Sequence, residues 1–273
     1  MNMVKAIFFD IDGTLVSFKT HSISPSTTRA LALLREKGIK VFIATGRHFS
    51  AINNVGNEKF DGYVTMNGSC CLTDKGEIVY KHRIPAEDIE SLLNYLEQKE
   101  SFPCILVQEN RLLMNFKNEN SEKVFDMLNF PEPPMGNLRD VPVDNVYQLI
   151  GFFEEHQEER IMNILPGCES TRWCPLFTDV VPKGSNKGIG IDKMLESFGI
   201  TAEETMAFGD GGNDVEMLKH VGIGIAMGNA EEEVKAVADY VTDSVDEDGI
   251  LKALIHFGVI QKTAETKMMD MVK

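Results

Sequence analysis

Residues 6–9 read Ala-Ile-Phe-Phe, an apolar run with no polar face, and the chain follows it at once with Asp10-Ile11-Asp12-Gly13-Thr14. A strand that is apolar on both sides has to be covered on both faces, which is the situation of a parallel sheet sandwiched by helices. The pattern recurs. Residues 39–44, Ile-Lys-Val-Phe-Ile-Ala, predict a second buried strand ending at Thr45-Gly46-Arg47, and residues 63–66 a third ending at Asn67-Gly68. Between the first two, residues 25–37 predict a helix, with Ser24 as N-cap, Pro25 at its first position and Gly38 as its stop. This βαβ rhythm implies a parallel sheet.

The rhythm breaks after residue 83. Residues 84–185 predict helices over 85–99, 121–128 and 156–165, strands over 104–107, 111–116, 146–153 and 173–180, and a Pro-rich bend in "FPEPPMG". That mixture is α+β in character and long enough for a domain of its own. From Lys187 the βαβ rhythm resumes. Helices are expected over 187–198, 213–220, 230–238 and 249–257, with strands over 205–208, 223–226 and 240–241. The last residues, from Gln261, are expected to fray. The expected organisation is therefore a discontinuous α/β domain, residues 1–83 and 186–273, interrupted by an α+β domain, residues 84–185.

Composition narrows the function. A net charge of −15 on 273 residues argues against a nucleic-acid partner, since a phosphate backbone calls for Lys and Arg. No apolar stretch approaches the roughly 20 residues of a bilayer span, and no secretory signal stands at the N-terminus. Five cysteines without a C-x-x-C pair read as reduced thiols. The expectation is a cytoplasmic protein with no membrane partner; the sequence does not indicate an oligomeric state.

In an open parallel sheet, ligands bind beyond the carboxyl ends of the strands. Those ends bring together Asp10 and Asp12, Thr45 and Gly46, and, after the strand at 205–208, Asp210, Asn213 and Asp214 of "GDGGND". Any one of these stretches alone reads as an ordinary turn. Together they put four carboxylates at one point, and that needs a cation. Hard oxygen ligands suit Mg²⁺, which binds through one or two carboxylates and a substrate phosphate. A carboxylate so held can attack phosphorus, and a second acid two residues on can protonate the leaving oxygen. His48 reads as a surface residue. Trp173 reads as packing or as a pocket wall, and Asp179 and Arg47 as candidates to contact the leaving group.

The four segments "FFDIDGT", "IATGR", the Lys of "SNKG" and "GDGGND", in that order at strand ends, resemble the haloacid dehalogenase superfamily of phosphohydrolases. The resemblance is to the Cof-type (subfamily IIB) branch with a large C2-type cap, and it covers essentially the whole chain. It implies a doubly wound, Rossmann-like parallel core with an inserted cap. It further implies a Mg²⁺-dependent phosphatase of small phosphorylated metabolites, most of all sugar phosphates. Asp10 would become the aspartyl-phosphate, and Asp12 would be the acid and then the base. Thr45, Gly46 and Asn213 would bind phosphoryl oxygens, and Lys187, preferred over Lys183 because a helix starts there, would hold Asp10 and the phosphate charge. Asp10, the Asp12 carbonyl and Asp210 would hold the metal, supported by Asp214. A phosphomutase or phosphotransferase of the same superfamily, or a phosphosugar-binding regulator without turnover, are the alternatives.

Overall fold

The computed structural model describes residues 3–261; of the tail expected to fray, only Gln261 falls inside that range. The strands are, in chain order, β1 (Ala6–Phe9), β2 (Lys40–Ala44), β3 (Gly62–Thr65), β4 (Cys70–Thr73), β5 (Ile78–Lys81), β6 (Cys104–Val107), β7 (Leu112–Met114), β8 (Gln148–Gly151), β9 (Cys168–Cys174), β10 (Phe177–Pro182), β11 (Thr205–Gly209), β12 (Ile223–Ala226) and β13 (Tyr240–Val241). They form two sheets. One has the order β13-β12-β11-β1-β2-β3-β4-β5 and the other β7-β6-β8-β10-β9. In the larger sheet every pair from β13 to β3 is parallel, as the apolar runs predict.

Period-two alternation divides the apolar runs between two cores. Ile7, Phe9, Val41, Ile43, Met206 and Phe208 pack on one face with Leu31 and Leu34 of the helix Pro25–Glu36 and Leu251 and Leu254 of the helix Gly249–His256. Phe8, Phe42, Ala44 and Ala207 pack on the other with Ile191, Met194 and Leu195 of the helix Lys187–Phe198. Aromatic pairs stitch neighbouring strands on both faces: Phe8 stacks on Phe42 at 4.8 Å and Phe9 on Phe208 at 5.0 Å.

Two features differ from the sequence expectation. The larger sheet is extended by an antiparallel hairpin, β4–β5, where the sequence predicts no strand. Its strands are only four residues long, and the outer one, apolar at Ile78, Val79 and Tyr80, is half exposed or exposed throughout, so no period-two alternation marks it. Residues 173–180, expected as one strand, straddle the turn of the β9–β10 hairpin. Pro175 and Leu176 make that turn, and Pro175 cannot donate to a ladder.

The smaller sheet is antiparallel throughout. One face packs Leu106, Leu149 and Val180 against Ile89, Leu92 and Leu93 of the helix Ala86–Gln98. The other packs Ile105, Tyr147 and Phe177 with Phe125 and Leu128 of the helix Glu119–Leu128, and with Met66, Cys70 and Leu72 of the larger sheet. The chain leaves the larger sheet after Lys81 and returns to it at Lys187. No helix among the described residues is long and apolar enough to cross a membrane.

Phe42 is fully buried, stacked on Phe8 and edge-on to Phe198 at 5.0 Å. Phe42→Ala is expected to lower unfolding stability by about 3–5 kcal/mol, read from urea unfolding. A loss below about 1 kcal/mol would contradict the packing described.

Candidate functional site

The parallel strands aim their carboxyl ends at one edge of the sheet. Beyond β1, the Asp10 amide donates to the Phe208 carbonyl at 3.0 Å, which fixes the start of this loop against β11. Gly13 follows with φ of +88°, and a Cβ there would lie 2.1 Å from Oδ2 of Asp210. Only glycine permits both the backbone conformation and the approach. Thr14 Oγ1 donates to Oδ1 of Asp210 at 2.6 Å, and Asn229 Nδ2 donates to its Oδ2 at 3.2 Å and to the Gly13 carbonyl at 2.9 Å. Asp210 is thus held from both sides. Thr14 is visible in the sequence as part of a motif. Asn229 is not singled out there, although it lies only three residues beyond β12, where a strand-end search would find it.

Lys187 opens its helix, with the Asn186 side chain capping it, and is completely buried. Its Nζ donates to Oδ1 of Asp10 and to Oδ1 of Asp214, each at 2.6 Å. Burial pulls the Lys187 ammonium toward neutrality, and the Asp10 and Asp214 carboxylates more than reverse this, so its pKa is raised. Oδ2 of Asp214 accepts from the Asp210 and Gly211 amides, each at 2.9 Å. Asp214 is therefore fully engaged in orienting its neighbours.

Asp10, Asp210 and Asp214 each offer an oxygen, all within 4.8 Å of one another. One ammonium does not balance them. Burial, only partly offset by Lys187, together with repulsion from Asp214 and Asp12, pushes Asp10 up to about 7. Burial and repulsion from Asp10 and Asp214 raise Asp210 well above the carboxylate range. A hard divalent cation is the group whose charge and oxygen preference relieve this crowding. The Asp12 side chain stands outside that triad and forms a two-pronged ion pair with Arg47, Nε to Oδ2 at 2.7 Å and Nη2 to Oδ1 at 2.8 Å.

Beyond β2, Thr45 is buried and its Oγ1 accepts the Arg47 amide at 3.1 Å. Arg47 also donates to the Leu128 carbonyl at 2.6 Å, and its guanidinium lies over Phe130 at 5.5 Å. It therefore joins Asp12 to the segment between the two halves of the larger sheet. Asp10, Asp12, Thr45, Gly46, Asn213 and Asp210 floor one pocket. Asp179 of β10 lies in its roof, among Ile150, Phe177 and Trp173. The Trp173 indole N–H is buried on the side of Asp179 and favours its ionised form. Asp179 accepts from Gln148 Nε2 at 2.7 Å and from Asn67 Nδ2 at 3.0 Å. Every candidate named from sequence thus lies in this pocket or, for Lys187 and Asp214, directly beneath it. His48 departs from expectation. It is buried, its Nε2 within hydrogen-bond distance of the Glu109 carbonyl at 3.0 Å, and burial lowers its pKa. The neighbouring segment covers it, and no local sequence signal announces that cover.

A family model described as haloacid dehalogenase-like hydrolase matches residues 7–254. Among solved structures, a sugar phosphatase of HAD subclass IIB is 47% identical, covers 94% of this chain and all of its own, and superposes with a TM-score of 0.89. A phosphatase of the same superfamily from Bacteroides thetaiotaomicron is 39% identical over 94% of this chain and 96% of its own, with a TM-score of 0.86. The 5-amino-6-(5-phospho-D-ribitylamino)uracil phosphatase YcsE of Bacillus subtilis is 29% identical over 93% of this chain and 96% of its own.

Burial, partly offset by donation from Asn67 and Gln148, raises Asp179 from 3.8 to about 6. The folded state therefore holds this proton more tightly than the unfolded chain. The contribution to stability is present below about pH 4 and is lost as pH rises through about 6. Asp179→Asn removes that penalty, and Gln148, whose Oε1 has no partner, can turn its amide to meet the new N–H. The stability of Asp179→Asn relative to wild type is expected to improve by about 1 kcal/mol between pH 5 and pH 7, read from urea midpoints. An advantage that grew as the pH fell would contradict the assignment.

Proposed function

The chain belongs to the haloacid dehalogenase-like hydrolases and is a phosphatase, and from that premise we propose that it is a Mg²⁺-dependent hydrolase of small phosphorylated metabolites, sugar phosphates above all. The observation that carries this reading is the buried cluster in which Lys187 bridges Asp10 and Asp214 beside Asp210, directly under a roofed pocket. Asp10 and Asp210, with the Asp12 carbonyl, would hold the cation, which would supply charge to neutralise the phosphoryl oxygens and the crowded carboxylates.

Oδ of Asp10 attacks phosphorus, forming the aspartyl-phosphate as the ester P–O bond breaks. Asp12 gives its proton to the departing alkoxide. It then takes a proton from water as that water attacks the aspartyl-phosphate, releasing inorganic phosphate and restoring Asp10. Thr45, the Gly46 amide and Asn213 bind the phosphoryl oxygens, and Lys187 keeps Asp10 aimed. Arg47 donates to both oxygens of Asp12, and the proton Asp12 carries takes an acceptor site that this ion pair leaves open, since each carboxylate oxygen has two.

Residues 84–185 act as a lid domain over a core formed by residues 1–83 and 186–273. The lid excludes bulk water and selects the leaving group. Its aromatic wall of Phe130, Trp173 and Phe177 beside the single carboxylate of Asp179 suits a polyol, whose C–H faces pack on rings while its hydroxyls donate. A roofed pocket of this kind selects compact esters over phosphoproteins. A net charge of −15 disfavours a nucleic-acid partner, and the reading is of a cytoplasmic enzyme.

Asp10→Asn preserves shape but removes the attacking charge and a cation ligand. It is expected to lower phosphate release from sugar phosphates by at least about a thousandfold, and retention of a tenth of wild-type turnover would refute the nucleophile. EDTA is expected to abolish activity and added Mg²⁺ to restore it, while Ca²⁺, with its larger and looser shell, is expected to inhibit. Full turnover in chelator would remove Asp210 from the cation site.

A further inference from the structure

One polar chain crosses between the two sheets, and neither the motifs nor the mechanism above accounts for it. Asn213 Nδ2 donates to Asn67 Oδ1 at 3.0 Å, Asn67 Nδ2 donates to Asp179 Oδ2 at 3.0 Å, and Gln148 Nε2 donates to Asp179 Oδ1 at 2.7 Å. Its centre, Asn67, is buried in the loop beyond β3, where two consecutive non-glycine residues, Met66 and Asn67, both have φ of +50°. A residue with a side chain is disfavoured in this conformation and persists there only where its surroundings over-determine it. Here they do. The Met66 amide donates to the Arg47 carbonyl and the Asn67 amide to the Thr45 carbonyl, each at 3.1 Å. The same loop that binds phosphate thus forces Asn67 into this conformation. Gly46 makes room for it: a Cβ at residue 46 would lie 3.2 Å from both Asn67 Oδ1 and Asp179 Oδ2.

The chain has a fixed polarity. A carboxylate only accepts, so Asp179 obliges Asn67 to turn its Nδ2 toward the roof and therefore its Oδ1 toward Asn213. That oxygen in turn fixes which end of the Asn213 amide faces it, leaving the second N–H of the same group for the pocket. Without Asp179 in contact, nothing sets the Asn67 amide, and an Asn213 turned over would present its carbonyl oxygen to an anion.

We propose that Asn67 is a positioning residue that couples the seating of residues 84–185, through Asp179, to the aim of Asn213 at the phosphoryl group. Completion of the phosphate site then depends on contact with the lid, so an ester is bound in its reactive geometry only under a seated roof. The proposal rests on the reading of Asn213 as a phosphate ligand.

The polarity supplies the test. Asn67→Asp sets two carboxylates against each other and should drive the roof away. Adding Asp179→Asn restores every bond with the charge moved: the carboxylate now at position 67 accepts from Asn213 and from the new amide at position 179, whose oxygen accepts from Gln148. Orthovanadate with Mg²⁺ is the probe, its affinity measured by calorimetry and lid seating by fluorescence. Trp173 is the sole tryptophan of the chain, it stands edge-on to Phe177 at 4.9 Å, and its Cβ is 3.8 Å from where a side chain at Gly211 would begin. Its emission therefore reports the junction itself. Wild type is expected to bind orthovanadate with a change in Trp173 emission. Asn67→Asp is expected to weaken binding at least tenfold and to lose the emission change, and the double variant to recover the affinity to within about threefold, together with the emission change. Wild-type affinity and emission in Asn67→Asp, or a double variant no better than the single, would overturn the proposal. Failure of wild type itself to bind orthovanadate would instead overturn the phosphate-site reading on which it rests. If Asn67→Asp does not fold, Asn67→Gly keeps the backbone conformation and deletes the amide. The same losses are expected there, and wild-type behaviour would overturn the coupling.

Discussion

Everything at the site depends on burying Lys187 between Asp10 and Asp214. A lone ammonium with no solvent exposure costs several kcal/mol, and its two carboxylates at 2.6 Å offset that only if their remaining oxygens are also satisfied. The structure does this for Asp214 with the Asp210 and Gly211 amides. For Asp10 it does not: burial first, and then repulsion from Asp214 and Asp12, outweigh Lys187 and push the group up to about 7. The imbalance is concentrated on Asp10, the residue proposed as nucleophile. Neutralising Asp10 by a proton would abolish its nucleophilicity, whereas neutralising it by a cation preserves the lone pair that attacks.

The parallel sheet makes this arrangement possible. Strands β11, β1, β2 and β3 lie side by side and all point one way, so residues far apart in sequence meet at one edge without a long loop to order. Lys187 and Asp10 are 177 residues apart, yet each lies within one residue of the end of a strand or the start of a helix whose position is set by packing. Phe8, Phe42 and Phe208 support the site as well, because their packing holds the sheet against the helices that cover it. The segment between β5 and the helix Lys187–Phe198 supplies none of these strands and meets the site from above, through the Leu128 carbonyl and Asp179.

How much of this is legible in the sequence follows from what each signal measures. Buried parallel strands announce themselves as continuous apolar runs, and acids placed just after them are conspicuous because carboxylates resist such crowding. Hence β1, β2, β11 and β12 and the Asp10, Asp210 and Lys187 positions can be named directly. The β4–β5 hairpin cannot, because a short edge strand exposed on one side carries no distinctive pattern. The β9–β10 hairpin reads as one strand, because a turn at Pro175-Leu176 is too brief to interrupt a β-rich stretch. Asn67 and Asn229 go unassigned for another reason. Each is a neutral amide whose role is set entirely by its partners, and a partner more than a hundred residues away, such as Asp179 for Asn67, leaves no trace in local sequence. His48 reads as surface for the same reason, since its cover comes from Glu109.

Arg47 and Asn67 show how two short loops can bring a roof and a floor into register. Arg47 reaches from Asp12, the proposed acid and base, to the Leu128 carbonyl, and Asn67 from the Asn213 amide to the Asp179 carboxylate. The first contact ends on a backbone carbonyl, which any side chain at 128 would provide. The second ends on a specific carboxylate. Contacts of the first kind tolerate sequence change in the roof, and those of the second do not. Of the roof positions, Asp179 is therefore the most constrained. Around it Phe130, Trp173, Phe177 and Ile150 are apolar, and apolar volume can be redistributed among neighbours at modest cost where a paired charge cannot.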